Sequence, residues 1–213
     1  MAIDLNNSCK IFPVFDVTIC TFTSNQYREP KNQTVTDTPD EIVMQRIKDG
    51  NLAEMSVMFE RYHLRLYNFF LKLTRNKAIS QDLTQNLFYR MIKYRNTYKN
   101  EYSVKSWMYK MARNLHVDYC KEEKRSEELF SKTDTNYGEV IDDNDGFPEE
   151  DYERLEYAFA ALSNEQKEII VLSRYQGLKY DEISVIVNQS VPAIKVAMHR
   201  AIKQLRGIYF KQI

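Results

Sequence analysis

The stretch from Lys179 to Ile213 limits the fold most tightly, because its apolar residues keep a helical period on both sides of a short polar break. Ile183, Ile186 and Val187 stripe the first segment, and Ile194, Met198, Ala201 and Leu205 the second, at spacings of three and four. Between them Asn188-Gln189-Ser190 makes a polar turn. Pro192 then falls in the first turn of the second helix, where a missing N–H leaves no bond unmade. The pattern predicts two short helices, Tyr180–Val187 and Val191–Phe210, in a helix-turn-helix. Lys195, His199, Arg200, Lys203 and Arg206 project from faces that packing does not need. Two readings fit: a second helix that enters a DNA major groove, or an ordinary αα-hairpin with solvated lysines.

The rest of the chain reads as helical too. Only 5 Gly and 5 Pro occur in 213 residues, beside 8 Met and many long charged side chains. Asp40 is placed to cap a helix over Glu41–Lys48, which Gly50 ends. A long helix is expected from Leu52 to Thr74, striped by Leu52, Met55, Phe59, Tyr62, Leu66, Phe69 and Leu73. Another is expected from Ile79 to Tyr94, capped by Ser80, with Leu83, Leu87 and Met91 inward. After a polar, tyrosine-bearing loop, Asn96 to Ser103, a helix over Val104–Lys121 carries Trp107, Met111, Leu115 and Asp118. Residues 126–148 have no period and contain Asn144-Asp-Gly146, a turn signal, so they read as a linker. Two helices, Glu149–Leu162 and Asn164–Tyr175 (capped by Ser163), then precede the helix-turn-helix.

These segments predict an all-α chain of two small helical domains joined by an acidic flexible linker, the C-terminal domain being a helix-turn-helix. The expected divisions are an N-terminal extension of unknown role at 1–39, a helical domain at 40–125, the linker at 126–148 and a second helical domain at 149–213. The extension has strand-like composition in Ile11–Phe22, followed by a polar stretch ending at Pro39. An appended element, a disordered tail and sequence upstream of the true start all fit it.

Formal net charge is zero, but the charge is unevenly placed. Residues 41–125 carry 17 basic and 9 acidic side chains, a net of +8, and residues 154–213 carry 9 and 5, a net of +4. Residues 126–153 carry 1 and 11, a net of −10. Two basic blocks around an acidic strap point to polyanion contact at both ends. Cys9, Cys20 and Cys120 are scattered, odd in number and without metal-ligand spacing, which fits a reduced cytoplasmic compartment. The apolar stretch Ile11–Phe22 is broken by Asp16, and no run approaches the ~18 residues of a membrane span. A soluble protein without membrane insertion is expected.

Two segments carry further chemistry. In Ala78–Phe88, Asp82, Gln85 and Asn86 lie near one face, opposite Leu83 and Leu87, as a partner interface or simply a solvated face. In Val104–Asp118, Lys105, Lys110, Arg113 and Asn114 interleave with Trp107 and Tyr109, beside Tyr98 and Tyr102. Positive charge tracks phosphate and aromatic rings stack on unpaired bases, so this pattern suits single-stranded nucleic acid. The bland alternative makes Trp107 and Met111 core residues.

Taken together the segments carry a resemblance. Ala-x-x-x-Asp-Leu-x-Gln-x-x-Phe (78–88), Trp-Met-Tyr-x-x-Ala-Arg-Asn-x-x-x-Asp (107–118), Leu-x-x-x-x-x-Glu-Ile-Ile-x-Leu (162–172), Gly-Leu-x-Tyr-x-Glu-Ile (177–183) and His-Arg-Ala-x-x-x-Leu (199–205) occur in that order. The chain from 41 to 210 so resembles the extracytoplasmic-function sigma factors of bacterial RNA polymerase, of the sigma-seventy family. The resemblance implies a non-catalytic, cytoplasmic protein that needs no cofactor and no metal. Its implied partners are core RNA polymerase, promoter DNA and an anti-sigma factor that covers the two domains.

It also implies site residues. Asp82, Leu83, Gln85, Asn86 and Phe88 match the helix that docks on core polymerase, with Asn86 where the family usually has Glu. Tyr98, Asn100, Tyr102, Ser103, Lys105, Trp107, Lys110, Arg113 and Asn114 fall on the loop and helix that open the −10 element. Ser190, Ala193, Lys195, Val196, His199, Arg200 and Lys203 fall on the part that reads the −35 element. Ala193 and Ala197 stand where members commonly carry Thr and Arg. Alanine meets a thymine methyl but lacks arginine's bidentate guanine contact, so family promoter preferences do not carry over. The acidic linker falls where the family threads a segment through polymerase channels; a polyanion mimic and a solvated tether both fit it.

The rival class is a helix-turn-helix regulator that binds DNA without being a polymerase subunit. It leaves the Asp82/Gln85 face and the aromatic-basic segment without a role. An enzyme is disfavoured, since no Gly-rich phosphate loop, metal-ligand spacing or nucleophile–base set is present and His63, His116 and His199 are far apart.

Overall fold

The computed structural model describes residues 38–129 and 149–212. Residues 1–37 of the N-terminal extension, most of the expected linker and Ile213 lie outside the described residues. Every regular element described is helical.

The first helix, α1 (Asp40–Lys48), has Pro39 at its N-cap rather than Asp40. Asp40 is the first helical residue, and its carboxylate instead accepts from Arg61 at 2.6 Å and from the Tyr62 hydroxyl. A tertiary ion pair therefore takes the oxygen that was expected to cap. Asn51 leads into a single 3₁₀ turn (Leu52–Glu54), and α2 (Met55–Thr74) starts after it. Leu52 is thereby left at the surface instead of in the apolar stripe. Arg75 ends α2 in the left-handed region (φ 55°), its N–H donating to Leu71 O.

Asn76, not Ser80, caps α3 (Lys77–Lys93), accepting from Ile79 N at 3.1 Å. Ser80 is buried in the first turns, its hydroxyl bonded to Asn76 O and Thr74 Oγ1. A second 3₁₀ turn (Arg95–Thr97) leads to the loop before α4 (Val104–Leu129). This helix passes the expected end at Lys121, because the Lys/Glu/Arg-rich residues after it are good helix formers. Asp118 is exposed on it, 3.6 Å from Arg90 of α3.

The second half comprises α5 (Glu149–Ala160), α6 (Asn164–Ile170), α7 (Tyr180–Val187) and α8 (Val191–Tyr209). Ser163 caps α6 in a capping box with Gln166, which satisfies two orphan N–H groups at once. Past Ile170 the chain loosens into a π-helical turn, Val171–Tyr175, closed by Gln176 N donating to Val171 O five residues back. Gly177 (φ 68°) then reverses the chain. Asn188 (φ 55°, ψ 48°) ends α7 in the left-handed region, and Ser190 opens α8, with Pro192 in its first turn.

Burial explains why both halves are stable. Val43, Met44, Ile47, Met58, Leu66, Phe69, Phe70, Leu87, Met91 and Met108 are completely buried in the first half. Val171, Leu172, Ile183, Ile194 and Ala201 are so in the second. Each large side chain in these sets contributes about 1.5–3 kcal/mol relative to exposure. The two sets form one continuous apolar cluster, with α4 against α7 and α2 against α6 and the π turn.

Candidate nucleic-acid interface

Three surfaces gather the residues singled out by sequence. On α3, Asp82, Gln85 and Asn86 are exposed, while Leu83 and Phe88 are buried and hold the helix in place. Tyr89, not singled out by sequence, stands on the same side and is 61% exposed. Its signal was its spacing, four residues after Gln85 and three after Asn86, which keeps it on their face.

The second surface lies on α4 and the loop before it. Ser103, Trp107, Lys110 and Asn114 follow one another at spacings of four, three and four, so they form one strip along the helix. Ser103 Oγ accepts from Ser106 N at 3.1 Å and caps the helix. Lys110 and Asn114 are exposed and Trp107 is half-buried. Tyr98 is fully buried beneath the strip, its ring meeting the Trp107 ring edge-on at 5.7 Å. It therefore props Trp107 rather than offering a free face, and burial pushes its phenol pKa up. Tyr102 and Asn100 are exposed at the loop tip. Lys105 and Arg113 fall off the strip, by the same helical spacing.

Arg113 turns towards the second half. Its Nε lies 2.9 Å from Glu168 Oε1 and 3.1 Å from Oε2, with the N–H directed at Oε2 so that Oε1 has no hydrogen bond of its own. Burial raises the Glu168 pKa, and Arg113 only partly offsets that rise. Four further contacts join the halves. Arg75 donates to Glu156 at 2.6 Å, Lys72 Nζ lies 3.8 Å from the same carboxylate and 5.2 Å from the Tyr175 ring centre, and the Tyr109 hydroxyl donates to Gln176 at 2.6 Å. None of these pairings was legible in sequence, because each partner also reads as an ordinary surface charge or amide. Nearby, His116 is buried and its pKa is lowered to about 4, mainly by burial and then by Arg113 and Lys167. The Cys120 sulfur lies 3.6 Å from its Nε2, and burial raises the thiol pKa.

The third surface is α8. Ser190 Oγ accepts from Ala193 N at 3.4 Å. Ala193, Lys195, Val196, His199, Arg200 and Lys203 are all exposed, while Ile194, Met198 and Ala201 pack inward on α6 and α7. The helix therefore presents cations and small apolar groups outward from a rigid support.

Among the described residues no group of three or more His, Cys, Asp or Glu side chains gathers in a way that could hold a metal ion. No described helix is long and apolar enough to cross a membrane.

Comparison with known proteins matches this layout. The family model described as Sigma-70 region 2 matches residues 58–126, and that described as Sigma-70, region 4 matches residues 152–205. The ECF RNA polymerase sigma factor SigX of Bacillus subtilis (strain 168) is 24% identical over 156 residues, covering 70% of this chain and 80% of the relative. The RNA polymerase sigma factor CarQ of Myxococcus xanthus is 26% identical over 165 residues, covering 78% and 94%. Among solved structures, CnrH in complex with the cytosolic domain of CnrY aligns with a TM-score of 0.63 at 16% identity, over 82% of this chain and 99% of that one. The sigma factor RpoE, solved with the anti-sigma factor NepR from Bartonella quintana, aligns with a TM-score of 0.63 at 18% identity, over 71% and 93%. These two likenesses concern the fold.

Proposed function

Since the chain belongs to the extracytoplasmic-function sigma factors of the sigma-70 family, we propose that its three surfaces divide the work of an alternative sigma factor that directs transcription initiation. The α3 face of Asp82, Gln85, Asn86 and Tyr89 docks on core RNA polymerase. The strip Ser103, Trp107, Lys110 and Asn114, with Tyr102 and Asn100 at its end, holds the opened −10 element. The outer face of α8 enters the major groove of the −35 element. The observation that carries this reading is that strip on α4. One aromatic ring, one cation and one amide share a face above a buried tyrosine, which is what a flipped or unstacked base requires.

The chain supplies binding and positioning, and the polymerase supplies the chemistry. On this reading it works in the cytoplasm. An anti-sigma factor is the fitting negative partner, as NepR is for the similar RpoE.

The close packing of the two halves bears on how the chain works. With Arg113 held by Glu168 and Tyr109 by Gln176, α4 is clasped to α6 and to the residue that closes the π turn. A promoter needs its −10 and −35 contacts spaced apart, so productive binding requires that clasp to open. The acidic segment before α5 serves as the tether across which the halves separate.

Core dependence tests the function. The full chain with core polymerase should make promoter thymines near the start site reactive to permanganate, and neither component alone should do so. Duplex binding by the chain alone, with no melting when core is added, would favour the helix-turn-helix regulator instead.

A further inference from the structure

The outer face of α8 has a midline, and one residue of its N-terminal half lies on it. At 100° per residue, Val196 points within about 15° of the direction opposite the buried Ile194, Met198 and Ala201. Lys195 and Arg206 fall on one margin of the face, and Ala193 and Arg200 on the other. Val196 is 49% exposed there. A single exposed valine is ordinary on a protein surface. This one stands in the middle of a cationic face, and its β-branch gives a helix no local advantage over the lysines and arginines around it.

A helix lowered into a major groove brings its midline to the base edges and its margins to the two phosphate walls, and recognition helices read bases with their N-terminal residues. Valine has no donor or acceptor. The apolar group that a base pair offers in that groove is the thymine C5 methyl. We propose that Val196 is a specificity-determining residue that packs on one thymine methyl of the −35 element, selecting thymine over cytosine there, while Lys195 and Arg200 hold the opposite phosphate walls. The proposal rests on the sigma-factor reading and names the base chemistry its α8 recognises.

Holoenzyme assembled from the full chain and core polymerase is used to select promoter fragments from duplexes randomised upstream, with wild-type chain and with Val196→Ala. Each thymine of the selected −35 element is then replaced by deoxyuridine, which removes only the methyl. At one position the wild-type open-complex yield should fall about 3- to 5-fold, the factor expected for one buried methyl. The Val196→Ala yield should be the same on both bases. If deoxyuridine is tolerated everywhere by the wild type, or if Val196→Ala selects the same bases with the same stringency, the proposal is overturned while the sigma reading stands. If the wild-type holoenzyme selects no fragment at all, both fail.

Discussion

Arg113 Nε on α4 lies 2.9 Å from Glu168 Oε1 on α6, so a carboxylate of the second half holds a cation next to the nucleic-acid strip of the first. A phosphate oxygen would compete with the carboxylate for the same N–H, so the pair opposes a DNA contact made through Nε. Glu168→Gln keeps the shape and removes the charge. It should cost about 1–2 kcal/mol of stability, for a partly exposed pair, and raise binding of single-stranded −10 DNA by the free chain several-fold. Fluorescence anisotropy with a labelled oligonucleotide measures this. Unchanged affinity would mean that Glu168 does not compete with DNA.

His116 gives the fold a pH dependence of definite sign. Its pKa in the fold is about 4, mainly through burial, against about 6.5 in the unfolded chain. Between those values the unfolded chain binds the extra proton, so the stability is present above pH 6.5 and is lost as pH falls towards 4, by at most about 3 kcal/mol. Glu168 acts oppositely: its raised pKa favours the fold at low pH, and that contribution fades as pH rises through its folded value. Urea denaturation from pH 7 to 4.5 should show a loss that His116→Phe flattens.

Asn188 turns α7 into α8 with φ 55° and ψ 48°. Glycine adopts that conformation freely and a β-branched residue does not. Asn188→Gly should be neutral or stabilise by up to about 1 kcal/mol, and Asn188→Val should destabilise by about 1–2 kcal/mol. The midpoints of urea unfolding separate the two.

Tyr89 should behave as a docking residue. It is 61% exposed on the face of Asp82, Gln85 and Asn86, so Tyr89→Ala should leave thermal stability within about 0.5 kcal/mol of wild type. Affinity for core polymerase should fall about 10-fold or more, because exposed aromatics concentrate binding energy at interfaces. Titration of labelled chain with core measures both the wild type and the variant.

What could be read from sequence followed local physics. Ser163 with Gln166 three residues on is a capping box, and Pro192 after Ser190 marks a helix start, so α6 and α8 begin where expected. Asn76 and Ser80 both suit an N-cap, but the Ser80 hydroxyl is taken by Asn76 O and Thr74 Oγ1, and Asn76 accepts from Ile79 N. Asp40 left its cap for Arg61, over twenty residues away, which no local pattern encodes. Likewise Arg113 and Trp107 interleave in sequence, yet helical geometry sends one to Glu168 and the other to the strip with Lys110 and Asn114. Residue types gave the chemistry of the surfaces, and tertiary packing decided which members of each set share a face.

The most direct measurement is run-off transcription with purified core polymerase on genomic promoter fragments, using wild-type chain and Asp82→Arg. Asp82 is exposed on α3, so the variant should keep the wild-type unfolding transition. Transcripts from defined start sites with the wild type, lost with Asp82→Arg, are the expected result. No core binding and no transcripts from the wild type, with duplex DNA still bound by the chain alone, would contradict the account.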